Sequence, residues 1–206
     1  MSLDLWLAFV AASTALLMIP GPTILLVISY SLTQGRRVAL AMALGVALGD
    51  FIAMTASLLG LGALVLASAK LFTVLKWIGA VYLVWLGFKL LRAAPKADTM
   101  PEATPKQARA IFAHAATVTA LNPKSIAFFI AFVPQFIHLG QPLPGQFATL
   151  IATFVGLATL NALGYALLAD RLRARIRRPN VLRWMNRAGG SALIGMGLLT
   201  ANLARS

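Results

Sequence analysis

Long apolar runs, separated by short polar turns, dominate the chain. A helix needs roughly 20 apolar residues to cross a hydrocarbon core of ~30 Å. Six runs approach or exceed that length, covering about residues 5–32, 38–67, 71–91, 110–137, 147–169 and 188–203. The last is the shortest. Apolar positions within each run are continuous rather than alternating, which predicts helices and argues against a β-barrel. The first run lacks a basic start, is long and carries two prolines near its middle, so it reads as a span rather than a signal peptide. The predicted fold class is an all-α polytopic membrane protein with six transmembrane helices. A polar linker at 92–109 divides it into two three-span halves, 1–91 and 110–206, and a basic loop at 170–187 precedes the sixth span.

Composition narrows the class. Hydrophobic residues make up 60% and charged residues 11%, against roughly 45–50% and ~25% in soluble domains. So few polar groups cannot cover a core in water. An ordinary soluble domain, a disordered chain and a nucleic-acid module are therefore excluded. The formal net charge of +13 comes from 18 Lys and Arg against 5 acidic residues. Fourteen of the basic residues collect on one side, at the ends of spans one, three and five or in the loops that follow them, three collect on the other side, and Lys124 is left over inside span four. Cytoplasmic loops carry the Lys/Arg excess. Both termini are thus expected outside, with the 92–109 and 170–187 segments cytoplasmic. The Arg171 to Arg178 run reads first as a topology signal and second as a candidate contact for anionic lipid headgroups. Cysteine is absent, which removes disulfides, thiolate catalysis and Cys-based metal sites. His114 and His138 are too few and too far apart for a metal site, and no cofactor is expected.

Two spans are interrupted near mid-depth. Pro20-Gly21-Pro22 stands sixteen residues from both Asp4 and Arg36, and Asn122-Pro123-Lys124 begins thirteen residues after Arg109, or ~20 Å along a helix. Proline removes a backbone donor and clashes with the preceding turn, yet suits the first position of a new helix. Asn122 is a good N-cap for a helix starting at Pro123, and Gly21 a weaker one before Pro22. Each break would open a half-helix N-terminus, whose free N–H groups and positive dipole end suit a carboxylate. A single such break reads best as a simple proline kink. A break in the first span of each half fits two inverted three-helix repeats, the plan of secondary transporters, with helices one and four broken at mid-membrane.

Two charges lie deep within the spans, near mid-depth. Asp50 is thirteen residues past Arg37, and Lys124 is at the second break. Charges in a membrane usually face a cavity or a partner. One reading pairs them as a structural lock. The functional reading gives Lys124 to a substrate carboxylate and Asp50 to a substrate amine or a proton. Asn161 in span five is a further candidate for binding, or an interhelical hydrogen bond. Gly45 and Gly49, Gly156 and Gly164, and Gly189, Gly190, Gly195 and Gly197 read as close-packing faces. The tryptophans and Tyr82 read as interface anchors or packing. His114 has no partner visible in the sequence.

The ordered set of Pro20-Gly21-Pro22, Gly35-Arg36-Arg37, Gly45-x-x-x-Gly49-Asp50, Gly79-Ala80-x-Tyr82-Leu83, Asn122-Pro123-Lys124, Phe128-Phe129 and Pro134-Gln135-Phe136 resembles the LysE-type amino-acid exporter family, in its homoserine/threonine-efflux branch. The resemblance covers almost the whole chain. It implies a bacterial inner-membrane exporter of amino acids working by proton exchange, and a homodimer. The substrate-binding candidates are then Pro20, Gly21, Pro22, Asn122, Pro123, Lys124 and Asn161, with Asp50 coupling protons.

Other classes fit less well. An intramembrane enzyme would need a nucleophile–base pair, paired carboxylates or a metal cluster at one depth, but Asp50 is the only acid within the spans. A scaffold predicts a dry apolar interior. A channel lacks a ring of like charges. No nucleotide-binding motif is present, so an ion gradient is the expected driving force.

Overall fold

The computed structural model describes residues 1–19, 21–93, 107–138, 141–169 and 179–203. Pro20, most of the 92–109 linker and the first part of the 170–187 loop lie outside the described residues. Among those described, regular structure is entirely helical. The helices are α1 (Leu3–Met18), α2 (Pro22–Gln34), α3 (Ala39–Ala67), α4 (Ala69–Arg92), α5 (Ala108–Ala120), α6 (Pro123–Ala131), α7 (Leu143–Leu167) and α8 (Pro179–Leu203). Single 3-10 turns follow α2 at Gly35–Val38 and α6 at Val133–Phe136.

Local chemistry sets the boundaries. Ser2 and Ser68 accept hydrogen bonds from the backbone N–H groups of Leu5 and Leu71, capping α1 and α4. Pro22 and Pro123 open α2 and α6 at a position where no N–H is needed. Gly35 closes α2 with φ of 69°, a left-handed backbone that glycine adopts without a Cβ clash. The sequence order is the same in each half: two short helices flanking a break, then two long ones. The last helix is longer than its apolar run, because the turns carrying Arg183 and Arg187 are also helical.

Three helical stretches among the described residues are long and apolar enough to cross a membrane: Pro22–Ala63, Thr73–Arg92 and Leu143–Leu167. Leu3–Met18 is a shorter apolar helix. On α4, the exposed residues Leu71, Val74, Ile78, Val81, Trp85 and Phe88 recur every three or four positions. That spacing draws an apolar stripe on the outer face, which suits lipid rather than water.

The interior is built on close helix approach. α3 packs against α5 and α7, and α4 runs along α8 and touches α6. A Cβ on Gly45 would lie 2.5 Å from the Phe112 carbonyl oxygen, and one on Gly49 would lie 2.6 Å from that of Ala116. Gly87 and Gly190 approach each other in the same way across α4 and α8. Gly189 and Gly197 are similarly crowded. The packing expectation fails for Gly156, Gly164 and Gly195, which face open space within 4 Å. Gly156 instead lines an open apolar groove between α3 and α7. Phe128, Phe129, Phe132, Phe136 and Phe154 form one aromatic cluster, with Phe129 and Phe154 edge to face at 4.8 Å. Phe9 of α1 joins it through Phe136 at 5.2 Å. This cluster anchors α6, nine residues long, to its neighbours.

Candidate functional site

Both breaks leave helix ends that need partners, and the two ends meet. A helix cannot satisfy its last four carbonyls internally. α1 stops at Met18 because Ile19 turns extended, with ψ of 114°. Four consecutive carbonyls there accept side-chain donors from elsewhere in the chain. Lys124 Nζ donates to Leu16 O at 3.0 Å and to Ile19 O at 2.9 Å. Asn161 Nδ2 donates to Leu17 O at 3.1 Å, and the Tyr165 hydroxyl to Met18 O at 3.3 Å. A cation suits the negative end of a helix, so α1 holds the lysine as firmly as the lysine holds α1.

The second break is closed from its own side and from α2. The Asn122 side-chain oxygen accepts from Lys124 N at 3.1 Å, as an N-cap does. Its amide nitrogen donates to Thr23 Oγ1 at 3.3 Å, and Thr119 Oγ1 donates to the same oxygen at 3.4 Å. Thr23, one residue after Pro22, thereby joins the first turn of α2 to the α5–α6 break. These groups are deeply buried: Thr119 is 1% exposed and Asn122 4%.

Asp50 reaches the same region from α3. Its position follows from Gly49, whose missing side chain lets α3 lie against α5. Asp50 is 2% exposed, and its Oδ1 has no hydrogen-bond partner. Asp50, Thr23, Asn122, Lys124 and Asn161 line one narrow cavity with about 20 Å³ of free space. That holds about one water. A roomier vestibule of about 270 Å³ adjoins it, lined by Pro22, Leu86, Lys89, Pro123 and Leu193 among others. Gly21, Asn122 and Lys124 line both spaces. Lys124 therefore borders both.

The structure thus brings Gly21, Asn122, Lys124, Asn161 and Asp50 to one cavity, with Pro22 and Pro123 on the vestibule side. The Asp50–Lys124 lock takes a different form from the one expected. The ammonium grips the end of α1, while the carboxylate oxygen Oδ1 is buried without a hydrogen bond. Asn161 makes the interhelical hydrogen bond and lines the cavity as well. Thr23, Thr119 and Tyr165 were not singled out by the sequence. Tyr165 carried a signal, since it is four residues after Asn161 and shares its helix face. His114 does have a partner: its Nδ1 lies 2.9 Å from the hydroxyl of buried Tyr30.

This arrangement surrounds a space for about one water with groups of both polarities. It offers carbonyls at one half-helix end, first-turn N–H groups at two others, and one fixed charge of each sign. Residues 14–202 match the family model of the LysE type translocators. A homoserine/homoserine lactone efflux protein of Salmonella typhimurium is 36% identical over 98% of both chains. A membrane protein of Vibrio cholerae with no described function is 37% identical over the same shares. A leucine efflux protein of Klebsiella pneumoniae is 30% identical over 78% of this chain and 74% of its own. No solved structure matches the chain. With a match that runs from within α1 to the end of α8, the chain belongs to the LysE type translocator family, whose members are membrane transporters and not enzymes.

Proposed function

We propose that this protein is a secondary active exporter of amino acids or close analogues, driven by exchange with protons. The observation that carries the reading is the meeting of two helix breaks at one small cavity lined by both an acid and a lysine. Unsatisfied backbone inside a membrane is tolerated only against protein or a wet cavity. Substrate sites of secondary transporters lie at such breaks. The narrow cavity and the vestibule beside it fit a carrier caught with its site nearly closed. Gly21, Pro22, Asn122, Pro123, Lys124 and Asn161, with Pro20, form the substrate site, and Asp50 carries the exchanged proton. Six spans in two inverted repeats place this site at mid-membrane, and alternating access moves one repeat against the other.

The chain sits in the bacterial inner membrane with both termini periplasmic, on the strength of the Lys/Arg bias. Anionic headgroups bind along the basic loops, and two copies form a dimer. A scaffold or an uncoupled channel is the rival reading. Counterflow in proteoliposomes decides between them. Vesicles loaded with unlabelled homoserine or leucine should accumulate the labelled amino acid, and an imposed pH gradient should accelerate net transport. Failure of a broad amino-acid panel to support counterflow would remove the exporter reading.

A further inference from the structure

Of the four carbonyls at the broken end of α1, two are held by neutral donors of α7 and two by one charged donor of α6. Lys124 Nζ reaches Leu16 O and Ile19 O at 3.0 and 2.9 Å. An ammonium has three N–H donors, and these bonds use two. The α-ammonium of an amino acid carries the same charge and the same three donors. Lys124 also borders both the vestibule and the inner cavity. A molecule bound in either space would lie against it.

We propose that the Leu16 and Ile19 carbonyls are the ammonium subsite for the cargo, and that the Lys124 ammonium is their resident occupant in the empty carrier. This rests on the exporter reading and names which end of the cargo goes where. On entry, the cargo's ammonium replaces Lys124 Nζ on the two carbonyls, and Lys124 turns to the cargo's carboxylate. The exchange is charge-balanced. The carbonyls lose one ammonium and gain another, and the zwitterion adds no net charge to a buried site. The carboxylate also meets the first turns of α2 and α6, through Thr23 and Ser125 on the cavity wall. Those turns have N–H groups without helical partners. Asp50, in the lining of the same cavity, adds a second attraction for the cargo's ammonium as it enters. In the empty carrier Lys124 keeps the end of α1 satisfied, so α1 need not rearrange between turnovers.

Two measurements on the purified full-length protein test this. The first is thermal unfolding of Lys124→Ala and Lys124→Met in methylammonium chloride, compared with tetramethylammonium chloride at the same ionic strength. Methylammonium has N–H donors and fits the vacated place, whereas tetramethylammonium has the charge alone. Both variants should unfold several degrees below the wild type and regain much of that loss in methylammonium only. The wild type should respond to neither salt. The second is competition in wild-type counterflow between leucine and its hydroxy-acid analogue, in which a hydroxyl replaces the ammonium group. The analogue should compete at least ~100-fold more weakly, because its hydroxyl brings one neutral donor where the ammonium brings a charge and three donors. No methylammonium-specific recovery, or equal competition by the hydroxy acid, overturns the subsite while leaving the exporter reading intact. If the wild type exchanges no amino acid, the exporter reading fails and methylammonium recovery alone decides whether the carbonyls bind ammonium. If neither variant can be purified, the competition arm decides.

Discussion

Gly49→Ala and Gly60→Ala add one methyl group each to the same helix, and they should move stability in opposite directions. Both glycines lie inside α3. Replacing glycine by alanine within a helix gains about 1 kcal/mol from helix propensity. At Gly60 nothing lies within 4 Å of the added carbon, so that gain stands alone. At Gly49 the carbon falls 2.6 Å from Ala116 O, 2.6 Å from Thr119 Cβ and 2.9 Å from Ala120 N. Two of these neighbours are backbone atoms of α5, so α3 and α5 must move apart. Overpacking of this kind costs about 1–3 kcal/mol, and the backbone contacts place it near the top of that range. The net effect is a loss of about 2 kcal/mol for Gly49→Ala. The shift also carries Asp50, the next residue, away from the cavity. Thermal unfolding of each variant in the same detergent should show Gly60→Ala slightly above the wild type and Gly49→Ala about 4–8 °C below it. Equal shifts, or a more stable Gly49→Ala, would refute the close seam between α3 and α5.

Asn161→Leu leaves the Leu17 carbonyl without its donor and should cost about 1–3 kcal/mol in unfolding, while Tyr165→Phe, at a more exposed position, should cost less; detergent melts of both check the order. Asp50→Asn should retain amino-acid counterflow but lose acceleration by a pH gradient, measured in proteoliposomes. Full pH-driven transport by that variant would remove Asp50 from proton coupling. Lys124→Gln should raise the half-saturating amino-acid concentration in counterflow by tenfold or more, since it removes the charged partner of the carboxylate. Single cysteines at Ser2 and Thr104 should label from opposite sides of the membrane in sealed cells, and labelling of both from outside would reverse or break the assigned topology.

The sequence by itself determined the features that depend on near neighbours. Continuous apolar runs define the helices because each helical backbone satisfies itself. Asn122 followed by proline, and Gly21 followed by proline, mark helix starts because capping acts within one turn. The sequence also marked Asp50, Lys124 and Asn161, since a polar group within an apolar run needs a partner somewhere. It did not name those partners. Lys124 and Leu16 are 108 residues apart, and Asn161 and Leu17 are 144 apart. Nothing local records that the end of α1 lies under α6 and α7. The small-residue faces divide in the same way. Gly49 and Gly156 look alike in sequence, yet one meets a neighbouring backbone and the other faces an open groove. Only the packing of the helices decides which missing side chain is filled by another helix, and which buried charge is given an orphaned carbonyl to hold.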